Sequence, residues 1–198
     1  MTFEAVDGAP LGPKFPTSLP GPEVDGLINL ALALDNYRPR RRWFRRLYID
    51  HRLSLHHRSG LLSGADAAAL TGLARRPGFK WRFAHGDITA RNVLPDTKGR
   101  SVLIDWEWAG LYPAGYELAF LWLSLGDVPG ARAKVEAAVP RSYQTGFLLS
   151  ATLVQLLHLQ MWLRRPHPLR ARHEETLALL LDAVHGGPRH RHLPDKPS

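Results

Sequence analysis

Proline and glycine placement limits what this chain can fold into. Of its 16 prolines, five (Pro10, Pro13, Pro16, Pro20 and Pro22) fall in the first 22 residues, with Gly8, Gly12 and Gly21 among them. Proline fixes φ, lacks an amide donor and is excluded from helix interiors and central strands. Residues 1–22 are therefore expected to form an extended, flexible lead-in. From Gly186 onward, two glycines, three prolines and a His/Arg alternation predict a disordered tail over 186–198. The folded body is expected to span 23–185.

Inside that body the apolar residues follow a helical period. Val24, Leu27, Ile28, Ala31 and Leu34 predict a helix over 23–36, and Trp43, Phe44, Leu47, Tyr48, Leu53 and Leu55 predict another over 40–57. Ser63-Gly-Ala-Asp66 reads as an N-cap with an acid at the third helical position, opening a helix that runs to Arg75 and stops before Pro77-Gly78. Further helices are predicted near 115–125, 131–138, 141–164 and 170–185, the last two parted by Pro166 and Pro168. Between these groups lie two short apolar runs, Asn92-Val-Leu94 and Ser101-Val-Leu-Ile104. They flank Pro95-Asp-Thr-Lys-Gly99, which is a hairpin pattern. The expected fold class is mainly α with a small central β-hairpin.

Composition excludes several functions. The chain has no cysteine, which removes disulfides, thiolate metal sites, cysteine nucleophiles and Fe–S clusters, and permits the reducing cytoplasm taken here as its expected location. No charged-then-apolar leader stands at the N-terminus. The apolar stretch 147–163 carries Ser150, Thr152, Gln155, His158 and Gln160, so a buried helix is expected rather than a membrane span. Net charge is +8, mostly from arginine, and six arginines (Arg38, Arg40, Arg41, Arg42, Arg45 and Arg46) lie within nine residues around Trp43 and Phe44. A nucleic-acid site is one reading of that segment. A solvated helix face whose aromatic stripe enters the core is preferred, and a nucleic-acid partner is not expected.

The densest chemistry lies in His85-Gly-Asp-Ile-Thr-Ala-Arg-Asn92, followed by Val-Leu-Ile-Asp105-Trp-Glu. A hairpin would converge Asn92, at the start of one strand, on Asp105, at the end of the other. An amide oxygen and a carboxylate are hard donors that suit Mg²⁺ alongside phosphate oxygens. Asp87, on the loop just upstream, is placed to accept a proton from a substrate hydroxyl. His85 is expected to fix this loop by hydrogen bonding rather than to react. Trp106, Trp108 and Trp122 are expected to be packing residues, and Glu107 an exposed loop acid. Turn and cap roles for the same acids, and a metallophosphoesterase centre, are the bland and rival readings. The second would need further His and Asp ligands that the sequence does not place nearby.

The pattern His-Gly-Asp-(x)4-Asn-Val-Leu with Ile-Asp-Trp-Glu resembles the aminoglycoside phosphotransferase and choline kinase group of small-molecule kinases. The resemblance implies a protein-kinase-like C-terminal lobe, with Asp87 as catalytic base and Asn92 and Asp105 as Mg²⁺ ligands. It implies ATP, or GTP, as phosphoryl donor and a small-molecule hydroxyl as acceptor. Arg91, beside Asn92, would be a candidate cofactor-binding residue that reaches a phosphate. Tyr112-Pro-Ala-Gly-Tyr-Glu-Leu-Ala-Phe120 resembles the helix start that follows the metal loop, where the family usually has Asp-Leu-Ala and this chain has Glu117.

Upstream of Asp87 no G-x-G-x-x-G stretch occurs, and the lysines there are Lys14, among prolines, and Lys80, close to the loop. Neither sits in an apolar strand, as a kinase phosphate-binding lysine does. The resemblance is therefore to a C-lobe without its N-lobe; a truncated start, a natural remnant, and a half completed by a separate N-lobe or dimer partner are the competing readings, truncation being the simplest. The alternative is a non-catalytic remnant that binds a partner or an anion through its basic helices.

Overall fold

A computed structural model describes residues 8–38, 45–95, 100–163 and 167–186. Seven α-helices and two small antiparallel β-pairs make up these residues. In chain order they are α1 (Gly21–Asn36), α2 (Ile49–Arg58), α3 (Gly64–Ala74), β1 (Trp81–Ala84), β2 (Val93–Pro95), β3 (Ser101–Leu103), β4 (Gly110–Pro113), α4 (Tyr116–Ser124), α5 (Ala131–Ala138), α6 (Gln144–Met161) and α7 (Arg170–Val184).

Helix α4 is the hub. All nine of its residues are buried, Glu117 and Ser124 among them, and it packs against α1, α5 and α6. Its start is fixed by Gly115 at φ +90°, where a Cβ would crowd Phe147 at 3.2 Å. One core gathers α1, α4, α5 and one face of α6 (Phe147, Ala151 and Val154) around Leu121 and Trp122. A second joins α2, α3, α7 and another face of α6 (Leu149, Leu153, Leu156 and Leu159) around Leu70. The polar residues of α6 are absorbed within the bundle, and no helix among the described residues is long and apolar enough to cross a membrane.

The expected hairpin is present as β2 and β3, paired Val93↔Leu103, Leu94↔Val102 and Pro95↔Ser101. The turn between its strands lies outside the described residues. The Ser63 cap is also present: its side chain accepts from the Asp66 amide while Asp66 accepts from the Ser63 amide, a reciprocal capping box.

Three features differ from expectation. First, β1 pairs with β4, Trp81↔Pro113 to Ala84↔Gly110, across a sequence gap that no local turn signal bridges. Second, the helix expected over 40–57 begins only at Ile49. Residues 45–47 instead lie along β4, where Leu111 donates to the Arg45 carbonyl and Leu47 donates to the Leu111 carbonyl, each at 2.9 Å. A free strand edge has supplied the backbone partners that a helix would have supplied. Arg40, Arg41, Arg42, Trp43 and Phe44 lie outside the described residues, as does the tail beyond Gly186 with His190 and His192. Third, residues 8–20 of the lead-in form no helix or strand, as their prolines require, yet they are fastened to the body. Leu11 and Gly12 donate backbone bonds to the carbonyls of Val93 (3.0 Å) and Ala90 (3.3 Å).

Candidate active site

Strand β1 ends at Ala84 and delivers His85, Gly86 and Asp87 into the groove between β4 and the hairpin. Gly86 has φ +91°, and a Cβ there would meet the Trp108 carbonyl at 2.5 Å, so both conformation and space demand glycine. His85 is fully buried. Its Nδ1 accepts from the Asp87 amide at 3.3 Å, which leaves Nε2 protonated to donate to the Ile104 carbonyl at 2.8 Å. Burial lowers its pKa, against the bond to Ile104 and the charges of Asp87 and Asp105. His85 thus ties the Asp87 loop to the end of β3 as a neutral hydrogen-bonding group.

The hairpin register brings Asn92 beside the residue preceding Asp105. The Ile104 amide donates to the Asn92 carbonyl at 3.0 Å, one step beyond the Val93↔Leu103 pair. Asn92 is buried in a single 3₁₀ turn, and its Nδ2 donates both to the Asp87 carbonyl (2.9 Å) and to Asp87 Oδ2 (3.0 Å). The donor side of the amide is thereby committed, and its oxygen is the atom left for a cation. Asp105 is exposed and sits at φ 63°, ψ 63°. It is the one described non-glycine residue with positive φ, a conformation that costs a side-chain-bearing residue of order 1 kcal/mol or more.

Two residues brace Asp87 from other elements. Glu117, in the first turn of α4, is 5% exposed and accepts from the Gly86 amide at 2.9 Å. Its Oε2 has no hydrogen-bond partner, and burial pushes its carboxyl up to about 7. Lys14, from the lead-in, places Nζ 2.9 Å from Asp87 Oδ1. The acidic place at the helix start pointed to Glu117 in the sequence. Nothing pointed to Lys14, which arrives from 73 residues away.

The description "phosphotransferase enzyme family" fits residues 18–146, and the match holds the loop, the hairpin and the start of α4. The chain belongs to this family. No curated protein matches it in sequence. Among solved structures it resembles the choline kinase LicA from Streptococcus pneumoniae, with TM-score 0.57 and 13% identity over 82% of this chain; it spans 65% of the length of LicA. LicA has also been solved in complex with AMP. An aminoglycoside-3′-phosphotransferase of type VIII matches with TM-score 0.54 and 21% identity, over 77% of this chain and 67% of that one. The GDP complex of wild-type aminoglycoside 2′-phosphotransferase-IIIa matches with TM-score 0.51 and 18% identity, over 92% of this chain and 69% of that one. At these identities the likeness is one of fold, the protein-kinase-like fold.

In this member of the phosphotransferase family the remaining singled-out residues are spread more widely. Arg91 stands exposed in the same turn as Asn92. Trp122 is core, as expected, but Trp106 and Trp108 are 45% and 54% exposed and flank Glu107, itself exposed. Trp106 nonetheless packs as expected, its ring edge-on to His85 (4.9 Å) and stacked against Phe83 (6.2 Å) with its ring nitrogen donating to the Leu103 carbonyl (2.9 Å), whereas Trp108 is turned outward. Of the basic segment, Arg38 bonds the Asp35 and Tyr37 carbonyls, and the Arg46 guanidinium lies 3.7 Å over Trp81. Lys80 sits over Tyr143, 5.7 Å from its ring centre.

Proposed function

We propose that this chain carries the acceptor and metal side of a small-molecule kinase, which transfers the γ-phosphoryl of ATP or GTP to a hydroxyl. The observation that carries the reading is the bridge from Asn92 Nδ2 to both the carbonyl and the carboxylate of Asp87. It orients the acid on the loop beside the hairpin that carries Asp105.

The donors suit Mg²⁺: one amide oxygen and one exposed carboxylate, with no group of three His, Cys, Asp or Glu among the described residues to form an all-protein cage. Such a two-ligand site relies on phosphate and water for the rest of its shell, as Mg²⁺ sites commonly do. Asn92 and Asp105 would hold the ion, which when bound supplies charge neutralisation to the transferring phosphoryl group. The chain's own part is positioning. Asp87 orients the acceptor hydroxyl and takes its proton, while His85 and Glu117 hold the loop that carries Asp87. The looseness of phosphoryl-transfer transition states makes such positioning the larger part of catalysis.

The nucleotide phosphates also need a clasp. The sequence before Asp87 offers no Gly-rich loop and no strand lysine, so a further segment or partner would provide it. Turnover by these 198 residues alone is expected to be weak or nil. The acceptor is a small hydroxyl compound delivered to a basic chain. A thermal-shift titration tests the metal side: Mg²⁺ with ATP or GTP should raise the melting temperature, and Asp105→Ala should abolish the rise. An unchanged rise in Asp105→Ala would overturn the assignment.

A further inference from the structure

The Lys14–Asp87 contact is not explained by phosphoryl transfer. Lys14 Nζ takes Oδ1 at 2.9 Å and Asn92 Nδ2 takes Oδ2 at 3.0 Å, so both oxygens of the proposed base are engaged. The Asp87 side chain is left only 12% exposed. The Lys14 ammonium stands at Oδ1, where an acceptor hydroxyl giving its proton to that oxygen would have to hydrogen-bond.

The segment that brings Lys14 there is shaped for the purpose. Leu11 and Gly12 bond the carbonyls of Val93 and Ala90, the residues on either side of the Arg91–Asn92 pair. Gly8 passes so close to the Pro95 carbonyl that a Cβ would lie 2.6 Å from it. Lys14 Nζ also sits 5.2 Å over the Phe120 ring, and Phe15 is seated edge-on against His158 (5.4 Å) and His173 (6.1 Å). Residues 8–15 therefore run along the Asp87 loop from the hairpin to the floor of the bundle. They form neither helix nor strand. Pro10 and Pro13 restrict the backbone, so docking orders little extra chain freedom, and undocking breaks few backbone bonds. The family match begins at residue 18, so Lys14 lies just before it and Asp87 within it.

We propose that residues 8–15 are an autoinhibitory strap, in which the Lys14 ammonium occupies the acceptor position at Asp87 and Phe15 latches the strap to the bundle. Catalysis requires the strap to lift. The inference rests on the phosphotransferase reading for its consequence, but the covering itself is testable without activity.

The experiment is carboxyl labelling of the full chain with a water-soluble carbodiimide and glycinamide, read at Asp87 by mass spectrometry. Parallel ATP-hydrolysis measurements are made with Mg²⁺. Lys14→Met and, independently, Phe15→Ala should each raise the labelling rate of Asp87 by about tenfold or more, with Asp50 labelling unchanged as the exposed control. Where hydrolysis is detectable, it should rise in the same variants. Equal labelling of Asp87 in the parent and both variants would overturn the strap, as would increased labelling accompanied by a fall in hydrolysis, which would make Lys14 an assisting group. Increased labelling with no hydrolysis in any protein would uphold the cover, and the phosphotransferase reading is then judged separately by the Mg²⁺–nucleotide thermal shift and its loss in Asp105→Ala.

Discussion

At the scale of single residues, the candidate site is legible where the chemistry is packed into a short stretch. Asp87, Asn92 and Asp105 stand out because one loop and one hairpin set their spacing, and the hairpin register does bring Asn92 against Ile104. Glu117 was visible as an acid at a helix start, but its bond to the Gly86 amide depends on α4 packing under the loop. Lys14 was not legible at all, because its partner is 73 residues away and its own surroundings are only prolines. Glu117 also yields a signed prediction. Its carboxyl is raised from 4.5 to about 7 by burial, so the folded state holds a proton that the unfolded chain releases. The stability from this proton is present below about pH 4.5 and is lost as pH rises through about 7. Glu117→Gln keeps the acceptor for Gly86 and removes the charge. Its stability by urea unfolding should match the parent near pH 5 and exceed it at pH 8, by on the order of 3 kcal/mol. A gap independent of pH would contradict the buried, protonated state.

At the scale of elements, helices that bury a periodic face were read correctly, while strands that pair across distance were not. The sequence 81–84 has no turn leading to its partner, and β4 ends in Pro113, so the β1–β4 pair is invisible to local patterning. The expected helix over 40–57 failed for a related reason. Its apolar residues have helical spacing, but the β4 edge captures the backbone of residues 45–47 through Leu111. Periodicity reports which residues are buried and not which backbone partner wins. Helix α4 carries the opposite lesson, since its burial on every side makes it the element on which the loop rests. Leu121, fully buried at its centre, should be among the costly truncations. Leu121→Ala is expected to lose about 2–5 kcal/mol in urea unfolding, the range for a cavity that its neighbours cannot close. A loss under 1 kcal/mol would mean that α4 is not the rigid hub described.

At the scale of the whole molecule, the +8 charge was the first sign of an anionic partner. It now reads mainly as arginines on outer faces, with Arg38 bonding its own helix end and Arg46 lying over Trp81. The histidines matter more to the whole. His56 and His173 are lowered to about 4 and His158 to about 3, each chiefly by burial. The unfolded chain therefore takes up protons below its ordinary histidine value of 6.5 that the folded state refuses. Stability should fall as pH drops from about 6.5 toward 4. Glu117 acts in the opposite direction in this window, but it is one group against three. Circular dichroism should show an acid transition that moves to lower pH in His158→Phe; a transition unmoved by that change would place the acid sensitivity elsewhere.

The Asp87 loop and the β2–β3 hairpin are proposed to form a metal–nucleotide site together. Electron paramagnetic resonance of Mn²⁺, used in place of Mg²⁺, is the decisive measurement. The chain should bind Mn²⁺ in the presence of ATP with a ³¹P coupling, Asn92→Ala and Asp105→Ala should each weaken this binding at least tenfold, and Asp87→Asn should retain it. Binding by Asp105→Ala as tight as that of the parent would rule out the proposed site.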